Sequence, residues 1–570
     1  LPGVSVTQSG PIGSTSTLRV RGADGKYLAV FVDGIKLSDP SGTSVSFDWG
    51  SLMTGDIALV EVLRGSQSAL WGGSAVGGVI NITTRAGIED GLHQSVTAEG
   101  GSYGTGKLSY GLTQKDDRME LAFTATRLHT EGFSAFDGGT ERDGADATRL
   151  SFSARYKVSD SLTLGGAAFW QDTDQDYDGY IDTNADTYPD TLTDLPNTQA
   201  RSEKGARIFA EFEGGSSTHL FELSALDIER TLVDENGTNT FGGSRLTLGY
   251  TGNFSLSDNL SLVYGLDWSR ETATYGNLPS GKASTEIAGA FAQLLWAPSD
   301  VFDLSATLRA DHNSDFGTFS TGRLALAWRP AEGTTMRATY ATGFRAPSLD
   351  ERFGDYPSLY FTGNSALVQE ESESLEFGIE QTFSNGATVS LTAFQLNVDN
   401  LVSGHCFDLN DGGTPADLTD DFCNIPYSLM NLPGVSTRKG VEIAASLPVS
   451  DAVTFGLAYT YTDGRRPDDS RLTQVPFHQL SLTLDADLSD RLTAGLALTH
   501  VAGRMDNDAN TFLPVAMPDY TVLAARVSYD LNDTTEAYLK LDNLLDEDYQ
   551  QVNGYAAAGR SVYLGIQAKF

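Results

Sequence analysis

The stretch of the sequence most suggestive of chemistry is an acidic run at residues 171–182. Its aspartates stand at alternate positions before Gly179, in the D-x-D-x-D-G pattern of calcium-binding loops. Carboxylates spaced in this way can converge on one hard cation, and the glycine lets the chain bend sharply. The match to an EF-hand is partial, because Ala185 stands where that loop has its last glutamate.

We predict a calcium site in a loop formed by this run, and the alternative is an acidic loop that binds only water. The predicted ligands are Asp172, Asp174, Asp176, Asp178, Asp182 and, from the following hairpin, Asp234. Further potential donors are Asp186, Asp190 and Asp194.

No catalytic motif accompanies the acidic run. The sequence contains no nucleophile elbow, phosphate-binding loop or CxxC pair, and its seven histidines are scattered without metal-ligand spacing. Acidic pairs are frequent, but in a chain with a net charge of −37 they do not indicate catalysis. We therefore expect no enzymatic activity, and the negative charge also argues against nucleic acid as a partner.

The elements that must position the acidic run are β-strands. Past residue 91 apolar and polar residues alternate, as at Leu480, Leu482 and Leu484, and this period of two is typical of strands with one apolar face. The sequence contains no run of about 18 apolar residues, so it predicts no membrane-spanning helix. Ten short turn signals, such as those at residues 159–160 and 532–533, separate long polar connections. Short turns on one side and long loops on the other predict an all-β transmembrane barrel of about 22 antiparallel strands.

Glycine-rich motifs set the first part of the chain apart from the barrel. They are LRVRG at residues 18–22, VFVDGI at 30–35, VLRGSQSALWG at 62–72 and GGVINITT at 77–84. Together these motifs resemble the plug domain of TonB-dependent outer-membrane receptors. The resemblance implies a small α+β plug domain at residues 1–90 inside a barrel at residues 91–570. The first residues resemble the middle of a family plug, so we expect the targeting signal and the coupling segment to lie upstream.

The resemblance also implies a function and a location. Such receptors lie in the lipid of the bacterial outer membrane and take up a small-molecule ligand across it, driven by a TonB-type energy-coupling protein in the periplasm. The acidic run and the ending DNLLDEDY at residues 542–549 are most similar to cobalamin receptors, in which calcium orders aspartate-rich loops. A cobalamin or other corrinoid is therefore the expected ligand, and a ferric siderophore or haem is the alternative. GFRAP at residues 343–347 resembles haem receptors, but no histidine lies between it and Asn364.

The family resemblance further implies roles for particular residues. In the plug, ligand contacts are predicted at Gln8, Ser14, Thr15, Ser44, Phe47 and Trp49. In the outer loops they are predicted at Tyr180, Tyr356 and Tyr360. Arg21 and Arg64 are predicted to anchor the plug through buried carboxylates of the lumen. Cys406 and Cys423 share one outward loop of an exported protein and predict a disulfide, the alternative being a metal or haem site with His405.

Overall fold

The computed structural model describes residues 1–84, 88–182, 191–235, 237–410, 422–423 and 425–570. The potential donors Asp186 and Asp190 lie outside this part of the chain. Among the described residues, no helix is long and apolar enough to cross a membrane.

The first domain is a small plug built on a four-stranded sheet. Its strands are β1 (Val4–Gln8), β2 (Ser16–Val20), β3 (Leu28–Val32), β4 (Ile35–Lys36), β5 (Leu59–Arg64) and β6 (Gly78–Thr83), with helix α1 (Ser68–Trp71) and 3-10 turns at Gly25–Tyr27 and Trp49–Ser51. The sheet has the order β4-β3-β6-β5, with β3 and β6 parallel, and β1 and β2 form a separate hairpin. The apolar residues of β3 and β6, such as Val30 and Ile80, form a core that also contains Ile228 of the second domain.

The second domain begins with thirteen strands in chain order. These are β7 (Gly91–Gly101), β8 (Thr105–Lys115), β9 (Met119–Phe133), β10 (Asp143–Ser159), β11 (Leu162–Ile181), β12 (Thr191–Gly214), β13 (Ser217–Asp234), β14 (Gly237–Ser257), β15 (Leu260–Thr274), β16 (Lys282–Ser299), β17 (Phe302–Asn313), β18 (Gly317–Ala331) and β19 (Thr334–Arg345).

The rest of the chain continues the same pattern, with short extra strands in the loops. Helix α2 (Leu349–Phe353) follows β19. The remaining strands are β20 (Asp355–Tyr356), β21 (Phe361–Thr362), β22 (Glu370–Thr382), β23 (Thr388–Asp399), β24 (Val402–His405), β25 (Leu409–Asn410), β26 (Phe422–Cys423), β27 (Ser428–Asn431), β28 (Val435–Ser450), β29 (Val453–Arg465), β30 (His478–Ser489), β31 (Leu492–Ala502), β32 (Arg504–Asn507), β33 (Pro514–Met517), β34 (Tyr520–Asn532), β35 (Thr535–Asp542) and β36 (Ser561–Lys569).

A closed antiparallel barrel forms from 22 of the described strands, namely β7–β19, β22, β23, β28–β31 and β34–β36. The last strand, β36, pairs with the first, β7, so the sheet has no free edge. Along β18 the side chains of Leu324, Leu326 and Trp328 are exposed on the outward face, which is the face that lipid covers in a membrane barrel. The predicted strand number and plugged architecture are confirmed.

Short turns and long loops segregate to opposite ends of the barrel, as the turn signals predicted. Tight turns at residues 159–161 and 533–534 lie at the end that we call inner, and the connections at residues 346–369 and 543–560 lie at the outer end. The acidic run departs from its prediction. Most of it belongs to β11, which continues past the end of its pairing with β10 at Gln175 and pairs with β12 from Leu162 to Ile181.

Candidate ligand and cation site

Asp178 lies where the pairing of β11 with β12 is irregular. Tyr177 pairs with Asn197, but Gly179 pairs with Thr193, so three residues of β12 bulge out opposite one residue of β11. Pro196 lies in this bulge and has no N–H to donate to the ladder. The Leu195 N–H, which also lies in the bulge, donates to the Asp178 side chain at Oδ1 over 2.7 Å.

The second outer loop, residues 134–142, folds over Asp178 and buries it. The Phe136 N–H donates to Asp178 Oδ2 at 2.5 Å, and the Ala135 N–H donates to Asp143 Oδ2 at 2.6 Å. Carboxylate oxygens of Glu141, Asp143 and Asp178 then lie within 4.8 Å of one another. We call these three residues the acidic cluster.

The acidic cluster has the properties of a hard-cation site. Asp143 is 1% exposed, yet its Oδ1 has no hydrogen-bond partner, and Glu141 Oε1 is also buried without one. Burial and the nearby carboxylates of Asp194 and Asp178 raise the pKa of Glu141 to about 7. Two buried oxygens without donors, beside carboxylates that repel them, are suited to a cation such as Ca²⁺, which takes oxygen ligands.

A cavity of about 360 Å³ separates the plug from one side of the barrel wall. Its plug side is lined by residues 10–13 and 50–54 together with Gln8, and its wall side includes Lys107 and Lys540. Aromatic rings of Tyr103, Phe133, Tyr549 and Tyr563 complete the lining. The mixture of apolar rings and a few polar groups is typical of a small-molecule site.

The second outer loop connects the acidic cluster to the rim of this cavity. The Asp137 N–H donates to the Gly554 carbonyl at 2.9 Å, and the Ala556 N–H donates to the Ala135 carbonyl at 2.8 Å. A Cβ built on Gly10 of the plug would lie 2.6 Å from the Ala135 Cβ, so the loop also touches the plug. The cluster therefore holds a loop against both the plug and the last outer loop.

Two family profiles cover most of the chain. The profile described as "TonB dependent receptor-like, beta-barrel" matches residues 92–544, and the "TonB-dependent Receptor Plug Domain" profile matches residues 1–79. The chain belongs to the TonB-dependent receptor family. It is thus an outer-membrane receptor of a transport family and not an enzyme.

Individual relatives of this receptor differ in the ligand that their names give. The "Vitamin B12 transporter BtuB" of Photobacterium profundum is 25% identical over 586 residues, covering 100% of this chain and 88% of that protein. A mutant of the ferric enterobactin receptor PfeA from Pseudomonas aeruginosa has a TM-score of 0.83 at 19% identity, with 100% of this chain and 95% of that chain covered. The siderophore receptor PirA from Acinetobacter baumannii has a TM-score of 0.83 at 17% identity, with 100% of this chain and 95% of that chain covered. At these identities the solved structures show the shared fold alone.

The receptor brings only one of the six predicted calcium ligands into the acidic cluster, namely Asp178. Asp174 and Asp176 are exposed on β11, and Asp172 lies on the same face. Because alternate residues of a strand are about 7 Å apart along it, these carboxylates stand in a row and do not converge. Asp182 and Asp234 lie at strand ends outside the cluster. The prediction that the acidic run forms a loop is therefore wrong, because β11 continues through these residues as far as Ile181.

Sequence reasoning missed Glu141 and Asp143. Their only sequence signal is the pair of acidic residues that flank Arg142 at the end of the second outer loop. Asp194, named as a further potential donor, lies beside them and accepts a hydrogen bond from the Thr140 N–H at 2.9 Å.

The predicted plug contacts fall into accessible and inaccessible groups. Gln8 lines the cavity and its N–H donates to Gln551 Oε1 at 2.8 Å, while Thr15 is exposed near it. Ser14 is buried. The prediction for Phe47 needs correction, because its side chain is 5% exposed and belongs to the plug core.

Two other predicted plug contacts lie beside that core and beside the outer loops. Trp49 is half-buried and packs edge-to-face on the Phe47 ring at 5.0 Å. Ser44 is half-buried and follows Thr43, whose carbonyl accepts a hydrogen bond from Ser348 Oγ at 2.8 Å. Ser44 therefore lies where the plug meets the loop that follows β19.

The three predicted outer-loop tyrosines lie in two places. The Tyr180 ring lies 5.7 Å from the Phe512 ring, on the side of the acidic cluster. Tyr356 and Tyr275 both donate to Asp350 Oδ1 at 2.5 Å, and burial raises the pKa of Asp350 although these bonds lower it. The Tyr356 hydroxyl is thus committed to its own loop. Tyr360 is half-buried in a left-handed turn nearby.

Arg21 and Arg64 both reach one carboxylate of the barrel wall. Arg21 Nε donates to Glu442 Oε1 at 2.8 Å, and Arg64 Nη1 donates to Glu442 Oε2 at 2.9 Å. Arg21 also pairs with Glu376 at 2.8 Å and lies over the Phe394 ring. Burial lowers the pKa of Arg21, but Glu442 and Glu376 outweigh it and raise the pKa above its usual value.

Both cysteines belong to the outer loop between β23 and β28. Strands β25 and β26 place Leu409 opposite Cys423 along the backbone. The Cys423 side chain lies outside the described part of the chain, so the disulfide with Cys406 stays a prediction. The His405 ring packs edge-on against Phe407 at 4.7 Å.

Proposed function

We propose that this receptor imports a cobalamin or a related corrinoid across the outer membrane. The observation that carries the proposal is the alignment of the whole chain with a protein named as a vitamin B12 transporter. The lining of the cavity beside the plug supports it, since aromatic rings and a few polar groups suit part of a ligand with an apolar ring and amide side chains.

Calcium is the proposed cofactor, held by the acidic cluster. The unpaired buried oxygens of Asp143 and Glu141 support this assignment. Glu141, Asp143 and Asp178 would supply three carboxylate ligands, with Asp194 adjacent, and the bound ion would offset their mutual repulsion. Because the same loop is hydrogen-bonded to Ala556 of the cavity lining, calcium would order the outer side of the ligand site.

The proposed energy source is a TonB-type coupling protein in the periplasm. The plug fills the lumen and is held to the wall by buried ion pairs such as Arg21 with Glu442. A ligand can pass only when part of the plug moves, and buried pairs of this kind do not open without a supplied force or a strong ligand-linked shift.

Titration of the purified receptor with cyanocobalamin, with calcium and after chelation, tests the proposal. Tight binding that weakens on chelation is expected. Asp143→Asn should weaken binding in calcium to the level seen after chelation. Asp174→Asn is the matched control, because Asp174 lies on the same outer extension but outside the cluster.

The titration separates the substrate from the cation site. Absence of cyanocobalamin binding to a folded barrel in both conditions would reject the corrinoid, and ferric siderophores, the ligands named for two receptors of the same fold, would be titrated next. Binding that Asp174→Asn weakens and Asp143→Asn does not would move the calcium site back to the acidic run.

A further inference from the structure

The cavity lies along a side of the barrel where the plug makes few polar contacts with the wall. Its wall side is formed mainly by β7, β8, β9, β35 and β36, through residues such as Glu99, Lys107, Leu128 and Lys540. In the described part of the receptor, these five neighbouring strands make one hydrogen bond to plug residues 1–84. Lys107 Nζ donates to Thr54 Oγ1 at 3.0 Å.

Several other strands of the barrel hold the plug by charge. Arg21 pairs with Glu376 on β22 and Glu442 on β28, and Lys26 pairs with Glu370 on β22. Asp39 pairs with Arg230 on β13. These ion pairs fasten the plug to β13, β22 and β28, whereas none of the five strands along the cavity forms an ion pair with the plug in the described part of the receptor.

Plug residues 52–58 close the cavity toward the inner end. This segment has no regular secondary structure and contains the exposed residues Thr54, Gly55 and Ala58. It begins in the cavity lining and leads into β5, whose first residue, Leu59, pairs with Thr83 shortly before the inner end of β7.

We propose that residues 52–58 are the gate of this receptor and that the ligand passes inward between this segment and strands β7–β9. The rest of the plug stays attached to the wall during passage. This inference rests on the proposed transport function and adds the route and the moving element. A cavity of 360 Å³ is near the lower limit for small-molecule sites, ~300–1,000 Å³, so a large ligand needs the segment to withdraw.

Two contacts define the closed gate. Gly55 approaches β8 and β9 so closely that a Cβ on it would lie 2.3 Å from Thr126 Oγ1 and 2.9 Å from Ser109 Oγ. One residue later, Asp56 Oδ2 accepts from Arg149 Nε of β10 at 2.8 Å, with both side chains buried. Arg149 also donates to Gln171 and lies over the Phe169 ring, so its position is fixed when Asp56 leaves.

A reversible cross-link across the gate tests the proposal. In Gly55→Cys/Thr126→Cys the two Cβ atoms would lie 3.3 Å apart, near the separation in disulfides. The matched control, Ser68→Cys/Gly343→Cys, fastens α1 to β19, where a Cβ on Gly343 lies 2.7 Å from Ser68 Oγ. Cyanocobalamin uptake and surface binding are measured in cells that express the full-length receptor, before and after reduction.

We expect the variant with the gate cross-link to bind cyanocobalamin but not to take it up, and uptake should return on reduction. The variant with the control cross-link should take up cyanocobalamin like the wild type. Uptake through the oxidised gate cross-link, or equal loss in both variants, would overturn the proposal, since the second result means that the whole plug moves. If the wild type takes up no cyanocobalamin, the corrinoid assignment has failed, and a measurement without this ligand decides on the gate.

That measurement is maleimide labelling of single cysteines in energised and de-energised cells. Met53→Cys in the gate and Ser41→Cys beside the attached Asp39 are both buried in the closed plug. Faster labelling of Met53→Cys alone on energisation supports the gate. Equal rates in the two states at Met53→Cys, or acceleration at Ser41→Cys as well, contradict it.

Discussion

Glu442→Gln should loosen the plug without damaging the barrel. Glu442 is buried on β28 and accepts hydrogen bonds from Arg21 at 2.8 and 3.0 Å and from Arg64 at 2.9 Å. The amide removes the negative charge and can accept only part of this set of hydrogen bonds. The guanidinium groups of Arg21 and Arg64 then lie close together without the negative charge of Glu442 between them.

The magnitude follows from how much each arginine is compensated afterwards. Removing one partner of a buried ion pair costs ~3–5 kcal/mol. Arg21 keeps Glu376 at 2.8 Å, and Arg64, whose side chain is 34% exposed, can be rehydrated. We therefore expect the lower end, about 3 kcal/mol in the free energy of plug opening, or roughly a 100-fold increase in the open population.

Amide hydrogen exchange measured peptide by peptide is the appropriate assay. Peptides of β1 and β2 should exchange roughly 100-fold faster in Glu442→Gln, whereas barrel strands away from β28 should not change. Glu380→Gln on β22 is the matched control, because its pair with Arg337 is exposed and such pairs contribute ~0–1 kcal/mol. Unchanged exchange in the plug would refute the anchoring role, and faster exchange throughout the barrel would show damage to the wall.

Three further predictions concern the outer loops and the plug sheet. Calcium affinity should rise as pH increases through about 7, because Glu141 must lose its proton to bind the ion; calcium titrations at pH 6 and pH 8 with equal Kd would contradict this. Without calcium the sign reverses for stability: a raised carboxyl pKa makes the folded state hold its proton, so stability falls as pH rises from the unfolded pKa toward 7. Ser348→Ala removes the capping box of α2 and the bond to Thr43, and should cost about 1 kcal/mol in local opening of that loop, read by hydrogen exchange; equal protection in the variant would refute it. Gly78→Ala should make the plug protease-sensitive within an intact barrel, since Gly78 has φ +157° and a Cβ there would lie 2.5 Å from the Leu63 carbonyl oxygen; resistance equal to the wild type would show that the sheet can shift.

The barrel could be predicted from sequence because its signals are local. Each inner turn is marked by small polar or glycine residues, and each strand by alternation, so neither requires knowledge of distant contacts. The same locality explains the error in the acidic run. Its polar residues are typical of a loop, but β11 and β12 pair with each other past the end of the pairing with β10.

The acidic cluster could not be derived from spacing, because its members come from separate hairpins. Glu141 and Asp143 meet Asp178 only through the bulge at residues 194–196 and the fold of the second outer loop. Phe47 failed as a ligand contact for a related reason. An aromatic residue in a polar loop can point into the core as easily as outward, and the packing of β3 and β6 beneath it decides.

The acidic cluster and the plug anchors act on different parts of the receptor, which makes their effects separable. The second outer loop touches the plug at Gly10, whereas the charged anchors lie at Glu442, Glu376 and Glu370 on the far strands. Sites without shared partners contribute additively to free energies. Removal of calcium should therefore weaken ligand binding at the cavity rim while hydrogen exchange in β1 and β2 stays at the wild-type rate. A joint effect, in which chelation loosens the plug as much as Glu442→Gln does, would mean that the outer loops and the anchors form one cooperative unit, and that ligand binding itself unlocks the plug.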